Sequence, residues 1–104
     1  MLGRTDPLEE APVITAIVLV DADTSRIPEI CAEVADVPGV SEVYSVTGEV
    51  DLIAIVRVRE HDQLADVIAD RISKVEGVLR TQTYTAFRAY SKRDLELAFD
   101  LGTD

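Results

Sequence analysis

Cysteine is nearly missing from this chain: Cys31 is the only one in 104 residues. A lone cysteine excludes an intrachain disulfide and a thiolate metal cage, so a reducing cytoplasm is the expected setting. Histidine is equally scarce. His61 has no second histidine with which to share a metal, so neither a metal site nor a cofactor is expected. With one histidine, no tryptophan and no paired carboxylates on one strand face, no base-and-partner set for catalysis is visible, and no catalytic residue is assigned. Long apolar runs are also missing. No stretch approaches 18 apolar residues, and the N-terminus has no basic region followed by an apolar core, so neither a membrane span nor a secretory signal is expected. Positive charge is short as well: 10 basic residues face 20 acidic ones, for a net charge of -10. The basic residues are scattered, with Lys92-Arg93 the one adjacent pair. That balance repels phosphate backbones and anionic lipid heads alike, so direct nucleic-acid or membrane binding is not expected.

What is present is a globular domain. Apolar residues make up 47% of the chain, and 104 residues suit one domain. Residues 1–12 are polar and acidic, with Pro7 and Pro12, and read as a flexible tail. The domain proper is expected over residues 13–101. Val13 to Val20 is a short β-branched run and predicts a buried strand. Thr24 or Ser25 is expected to cap a first helix, with Pro28 in its first turn and Ile27, Ile30, Cys31, Val34 and Ala35 as its buried stripe. Pro38-Gly39 stops it. Val40–Thr47 and Leu52–Arg59 predict a strand pair around a tight turn at Gly48. His61 or Asp62 opens a second helix with Leu64, Val67, Ile68, Ile72 and Val75 inward. Leu79 to Tyr90 reads as a long fourth strand. Lys92 to Leu101 closes the chain as a short helix or a fifth strand, the helix being favoured by the run Asp94-Leu95-Glu96-Leu97-Ala98.

An internal repeat orders these elements. A shift of 38 residues lays Ala16, Ile17, Val18 and Val20 on Ala54, Ile55, Val56 and Val58 without a gap. The same shift lays Ile30 on Ile68, and Val37, Gly39 and Val40 on Val75, Gly77 and Val78. Two β-α-β units in series give βαββαβ, an α+β fold of ferredoxin-like plan. Right-handed crossovers then put both helices on one face of a four-stranded antiparallel sheet, with the first and third strands central.

The helices can cover one face only, yet both faces of the central strands are apolar. Ala16, Val18 and Val20 lie on one side of the first strand, and Ile17 and Leu19 on the other. Ala54, Val56 and Val58 oppose Ile53 and Ile55 on the third. A solvated face alternates with polar residues instead. A second copy of the sheet is the simplest cover, giving a two-fold dimer in the form of an α-β sandwich or barrel.

The segments Ser45-Val46-Thr47-Gly48-Glu49-Val50-Asp51-Leu52 and Val75-Glu76-Gly77-Val78-Leu79-Arg80-Thr81-Gln82-Thr83-Tyr84 together resemble the effector-binding half of the Lrp/AsnC family of amino-acid-responsive regulators, the RAM domain. The resemblance covers roughly Val13 to Tyr90. Two features depart from the family pattern: the usual N-terminal helix-turn-helix is missing, which resembles a stand-alone effector domain, and the often aromatic residue before Asp51 is Val50. The resemblance implies a dimer, often a higher oligomer of dimers, with a small effector, typically an amino acid, held between subunits. The ligand-binding residues it implies are Gly48, Glu49, Val50, Asp51, Thr81 and Thr83. Asp51 would pair with the ammonium; amides around Gly48 and Glu49, with the hydroxyls of Thr81 and Thr83, would take the carboxylate. Full-length Lrp/AsnC regulators are the implied protein partners, and the expected action on transcription is indirect.

Each of these residues also has a plain structural use. Gly48 serves a tight turn, Asp51 can bond nearby amides, Thr81 and Thr83 suit a strand, Tyr44 and Tyr84 suit an interface, Cys31 suits a core, and His61 suits a helix cap on the surface. Two other functions fit the same fold: an assembly module forming mixed oligomers with full-length relatives, and a small dimeric α+β barrel enzyme. An amino-acid sensor of the related ACT type shares the topology, and the hairpin segment favours the RAM reading over it.

Overall fold

The computed structural model describes residues 13–92. The tail expected over residues 1–12 and all but Lys92 of the closing segment 92–101 lie outside the described residues. Strand β1 (Ile14–Ala22) leads through a 3-10 turn (Thr24–Arg26) into helix α1 (Ile27–Ala35). Strands β2 (Val40–Ser45) and β3 (Leu52–Val58) follow. The second helix starts as α2 (His61–Ala65), widens into a π turn (Asp66–Arg71) and tightens into a 3-10 turn (Ile72–Lys74) before β4 (Val78–Thr85). The strand order is β2-β3-β1-β4, all antiparallel, so β1 and β3 are central as the repeat predicts.

The core lies between the sheet and the helices. Ala16, Val18 and Val20 of β1 and Leu52, Ala54 and Val56 of β3 have no solvent exposure, nor have Ile30, Val34 and Ile72 of the helices. Alternation puts every second residue of the central strands on this side. Cys31 is half-buried beside the core, and that burial pushes its thiol up from its ordinary range. Ala35, expected in the helical stripe, is exposed.

Three local features differ from the sequence reading. Asp23, not Thr24 or Ser25, caps the 3-10 turn ahead of α1, whose own N-cap is Arg26 without a side-chain cap bond: the Asp23 carboxylate accepts from the Ser25 amide at 3.0 Å and from the Ser25 hydroxyl at 2.8 Å. Glu60 opens α2, one residue ahead of His61, and forms a reciprocal capping box with Gln63. Strand β4 stops at Thr85 rather than Tyr90, two residues short of the Ile14 end of its partner β1. Thr85 faces Ala16, and the Ala86 amide makes a last bond to the Thr15 carbonyl at 2.7 Å.

Candidate functional site

Register fixes what each expected site residue can reach. One row across the sheet reads Ser45, Leu52, Val20, Thr81; the next reads Val43, Ala54, Val18, Thr83. Thr81 and Thr83 therefore lie on the helix side of β4, an edge strand, with Thr81 half-buried and Thr83 exposed. Asp51 immediately precedes Leu52. Its amide donates to the Val20 carbonyl at 2.9 Å, its carbonyl accepts from Val46 at 3.0 Å, and its Oδ2 accepts from the Ala22 amide at 2.8 Å. Ala22 follows an irregularity in the β1–β4 register between Asp21 and Ala22. Asp51 thus ties the hairpin to the end of β1 where the ladder is broken.

The six residues share one end of the sheet but do not converge within one chain. Asp51 and Thr81 flank β1 from opposite sides, two strand spacings or roughly 10 Å apart. Thr83 lies one row deeper. Gly48 has φ 146, and a Cβ there would meet nothing within 4 Å, so the turn stands in open space. Glu49 is exposed and Val50 half-buried. Sequence reasoning missed Asp21 and Arg80 at this end, an ion pair of 2.9 Å. Strand alternation was the available signal, since it puts both on the open face, directly opposite each other.

The open face is apolar at its centre and polar at its edges. Two rows cross it: Tyr44, Ile53, Leu19, Gln82, and Glu42, Ile55, Ile17, Tyr84. The four central aliphatics are half-buried, whereas Tyr44 and Tyr84 are 49% and 53% exposed. At the rim the Tyr44 hydroxyl donates to Glu42 at 2.7 Å, which raises the Tyr44 pKa, and Arg57 lies 3.6 Å from Glu42. An apolar centre within a polar rim is the make-up of a protein interface. His61 is exposed at the start of α2. Among the described residues no group of three potential metal ligands comes together, and no helix is long and apolar enough to cross a membrane.

Comparison with known proteins agrees with this architecture. The crystal structure of TTHA0845 from Thermus thermophilus superposes with a TM-score of 0.71 at 46% identity, covering 76% of this chain and 99% of that one. A feast or famine regulatory protein of M. tuberculosis, complexed with L-methionine, superposes with a TM-score of 0.67 at 26% identity, covering 88% of this chain and 63% of that one. In sequence, the HTH-type transcriptional regulator LysM of Saccharolobus solfataricus is 37% identical over 79 residues, 74% of this chain and 54% of its own. The chain spans about half the length of the curated relatives it matches. The Lrp/AsnC ligand binding domain matches residues 15–95, and the chain belongs to that family.

Proposed function

We propose that this chain is an amino-acid-sensing and assembly unit, binding a small effector between subunits and acting on transcription regulators indirectly, without catalysing a reaction. The observation that carries this reading is the split site: Asp51 and Thr81 share one end of the sheet yet stand two strands apart, so a second copy is needed to close a pocket around a small molecule. The apolar open face supplies the means of bringing copies together, first as a dimer through the sheets and then as a higher oligomer of dimers. The L-methionine complex of the mycobacterial relative supports an amino acid as the class of effector. The net charge of -10 supports action through full-length Lrp/AsnC partners, in the cytoplasm, rather than on DNA.

One observation favours a second reading, that of an assembly module without an effector. The Asp51 Oδ2 is already committed to the Ala22 amide, which makes the residue a fold element whether or not a ligand arrives.

Light scattering and calorimetry separate the two readings. Ile55→Glu places a charge at the centre of the open face and should convert a dimer to monomers. Among the twenty amino acids, at least one should bind with micromolar to millimolar affinity, the range open to a ligand of roughly ten heavy atoms. Asp51→Ala should weaken that binding by about tenfold or more. Binding by no amino acid, with ready mixed oligomers with a full-length relative, would leave the assembly reading standing.

A further inference from the structure

The sheet end opposite the hairpin turn carries a cleft of about 380 Å³. Pro38-Gly39 ahead of β2, the residues around the end of β3, and the second helix all contribute to its walls. Arg59, Gln63, Asp66 and Arg71 line it, with Arg57 alongside. Three arginines around one cleft run against the character of a chain whose net charge is -10. Away from the cleft, Arg26 and Arg80 are held by Glu33 and Asp21. Among the described residues, neither Arg59 nor Arg71 makes an ion pair, and neither does Asp66.

The π turn explains how opposite charges come to share this wall. On an α-helix, residues five apart point about 140° away from each other. Asp66 and Arg71 are five apart, and the hydrogen bonds of a π turn reach back five residues. The Ile72 amide at its end is shared between the carbonyls of Ile68 and Val67. The wider turn swings Asp66 and Arg71 toward one side of the helix, and both face the cleft. Gln63 is fixed there too. Its side-chain oxygen accepts from the Arg59 and Glu60 amides, both at 3.0 Å, which leaves its NH2 group to donate.

We propose that this cleft is a second small-molecule site, separate from the hairpin end, for an α-amino dicarboxylate of the aspartate and glutamate class. Arg59 and Arg71 each take one carboxylate, Gln63 adds a donor, and Asp66 takes the ammonium. The other small anions fit the charges less well. Phosphate is repelled by Asp66, a plain dicarboxylate leaves Asp66 unpaired, and a neutral amino acid leaves an arginine unpaired. The volume is that of a small-ligand site.

Calorimetry on the full chain at constant ionic strength tests this, with L-glutamate, glutarate and inorganic phosphate as probes. L-Glutamate should bind, and Arg71→Gln and Arg59→Gln should each weaken it by about tenfold or more. Asp66→Asn should erase the preference for glutamate over glutarate. Arg80→Gln, at the hairpin end of the sheet, should leave the affinity unchanged, which separates this site from the one proposed above. Arg59, Asp66 and Arg71 are exposed, so the variants should melt as the parent does without ligand. No heat from millimolar L-glutamate would overturn the proposal. So would glutarate or phosphate binding as tightly as glutamate, or a glutamate affinity insensitive to Arg71→Gln.

Discussion

The two halves of the molecule share one plan and a set of matched core and turn residues, and the places where they differ show what each half is used for. Gly39 and Gly77 are equivalent by the 38-residue shift, have φ 101 and φ 99, and sit where each half's helix hands over to its second strand. Each meets the other half's helix. A Cβ on Gly39 would lie 2.8 Å from Val67 Cγ2, and one on Gly77 would lie 2.6 Å from Ile30 Cδ1. The halves are thus locked reciprocally. They diverge in their helices. The first continues as a regular α-helix to Ala35, whereas the second contains the π turn, along with the charged cleft. The two halves share the frame, and one helix departs from it.

Core substitutions should break the equivalence most. Ile30 and Ile68 correspond by the shift, but Ile30 has no exposure while Ile68 is half-buried. Ile30→Ala should cost about 3–4 kcal/mol in urea unfolding, and Ile68→Ala about half that. Equal costs would show that the π turn does not loosen the second half. Gly39→Ala and Gly77→Ala should each cost about 1–3 kcal/mol, because each combines an unfavourable φ with a collision. An undiminished melting point for either would remove its half of the reciprocal lock.

The smallest effect concerns the caps. Asp23 corresponds to His61, so the halves start their helices with different chemistry. The Ser25 hydroxyl and amide hold the Asp23 carboxyl below its ordinary value of 3.8. A depressed pKa means that the stabilisation is present above the unfolded pKa and is lost as pH falls through the folded one. Carbon-detected NMR titration should find the Asp23 midpoint below 3.8, and Ser25→Ala should move it upward.

What could be read from the sequence follows the same division. The repeat alone delivered the strand order, because a βαββαβ chain with right-handed crossovers has few ways to close. The apolar open face was legible in Ile17, Leu19, Ile53 and Ile55, since alternation assigns sides without any knowledge of packing. The end of β4 was not legible: residues up to Tyr90 suit a strand, yet its pairing with β1 ends at Thr85, and no residue type marks that point. The bond from the Ala22 amide to Asp51 spans 29 residues and depends on an irregular register, so no local pattern announces it. The π turn has no signature in its residues either. Arg59 and Arg71 were seen as scattered positive charge, and only the folded helix gathers them.

The two outer strands of the sheet are unequal in a way that bears on how the protein avoids uncontrolled growth. Strand β2 has six residues, and its register slips between Val40 and Glu42. Strand β4 pairs with β1 without interruption from Arg80 to Thr85, and its outer backbone groups form a regular row. A bulged, short border is a poor template for another strand, whereas a regular one can accept a neighbour. Among the described residues, β4 is therefore the border better suited to accept a neighbouring strand. One regular border and one bulged, short border give a strand fewer places to add than two regular borders would, which disfavours open-ended growth of the sheet.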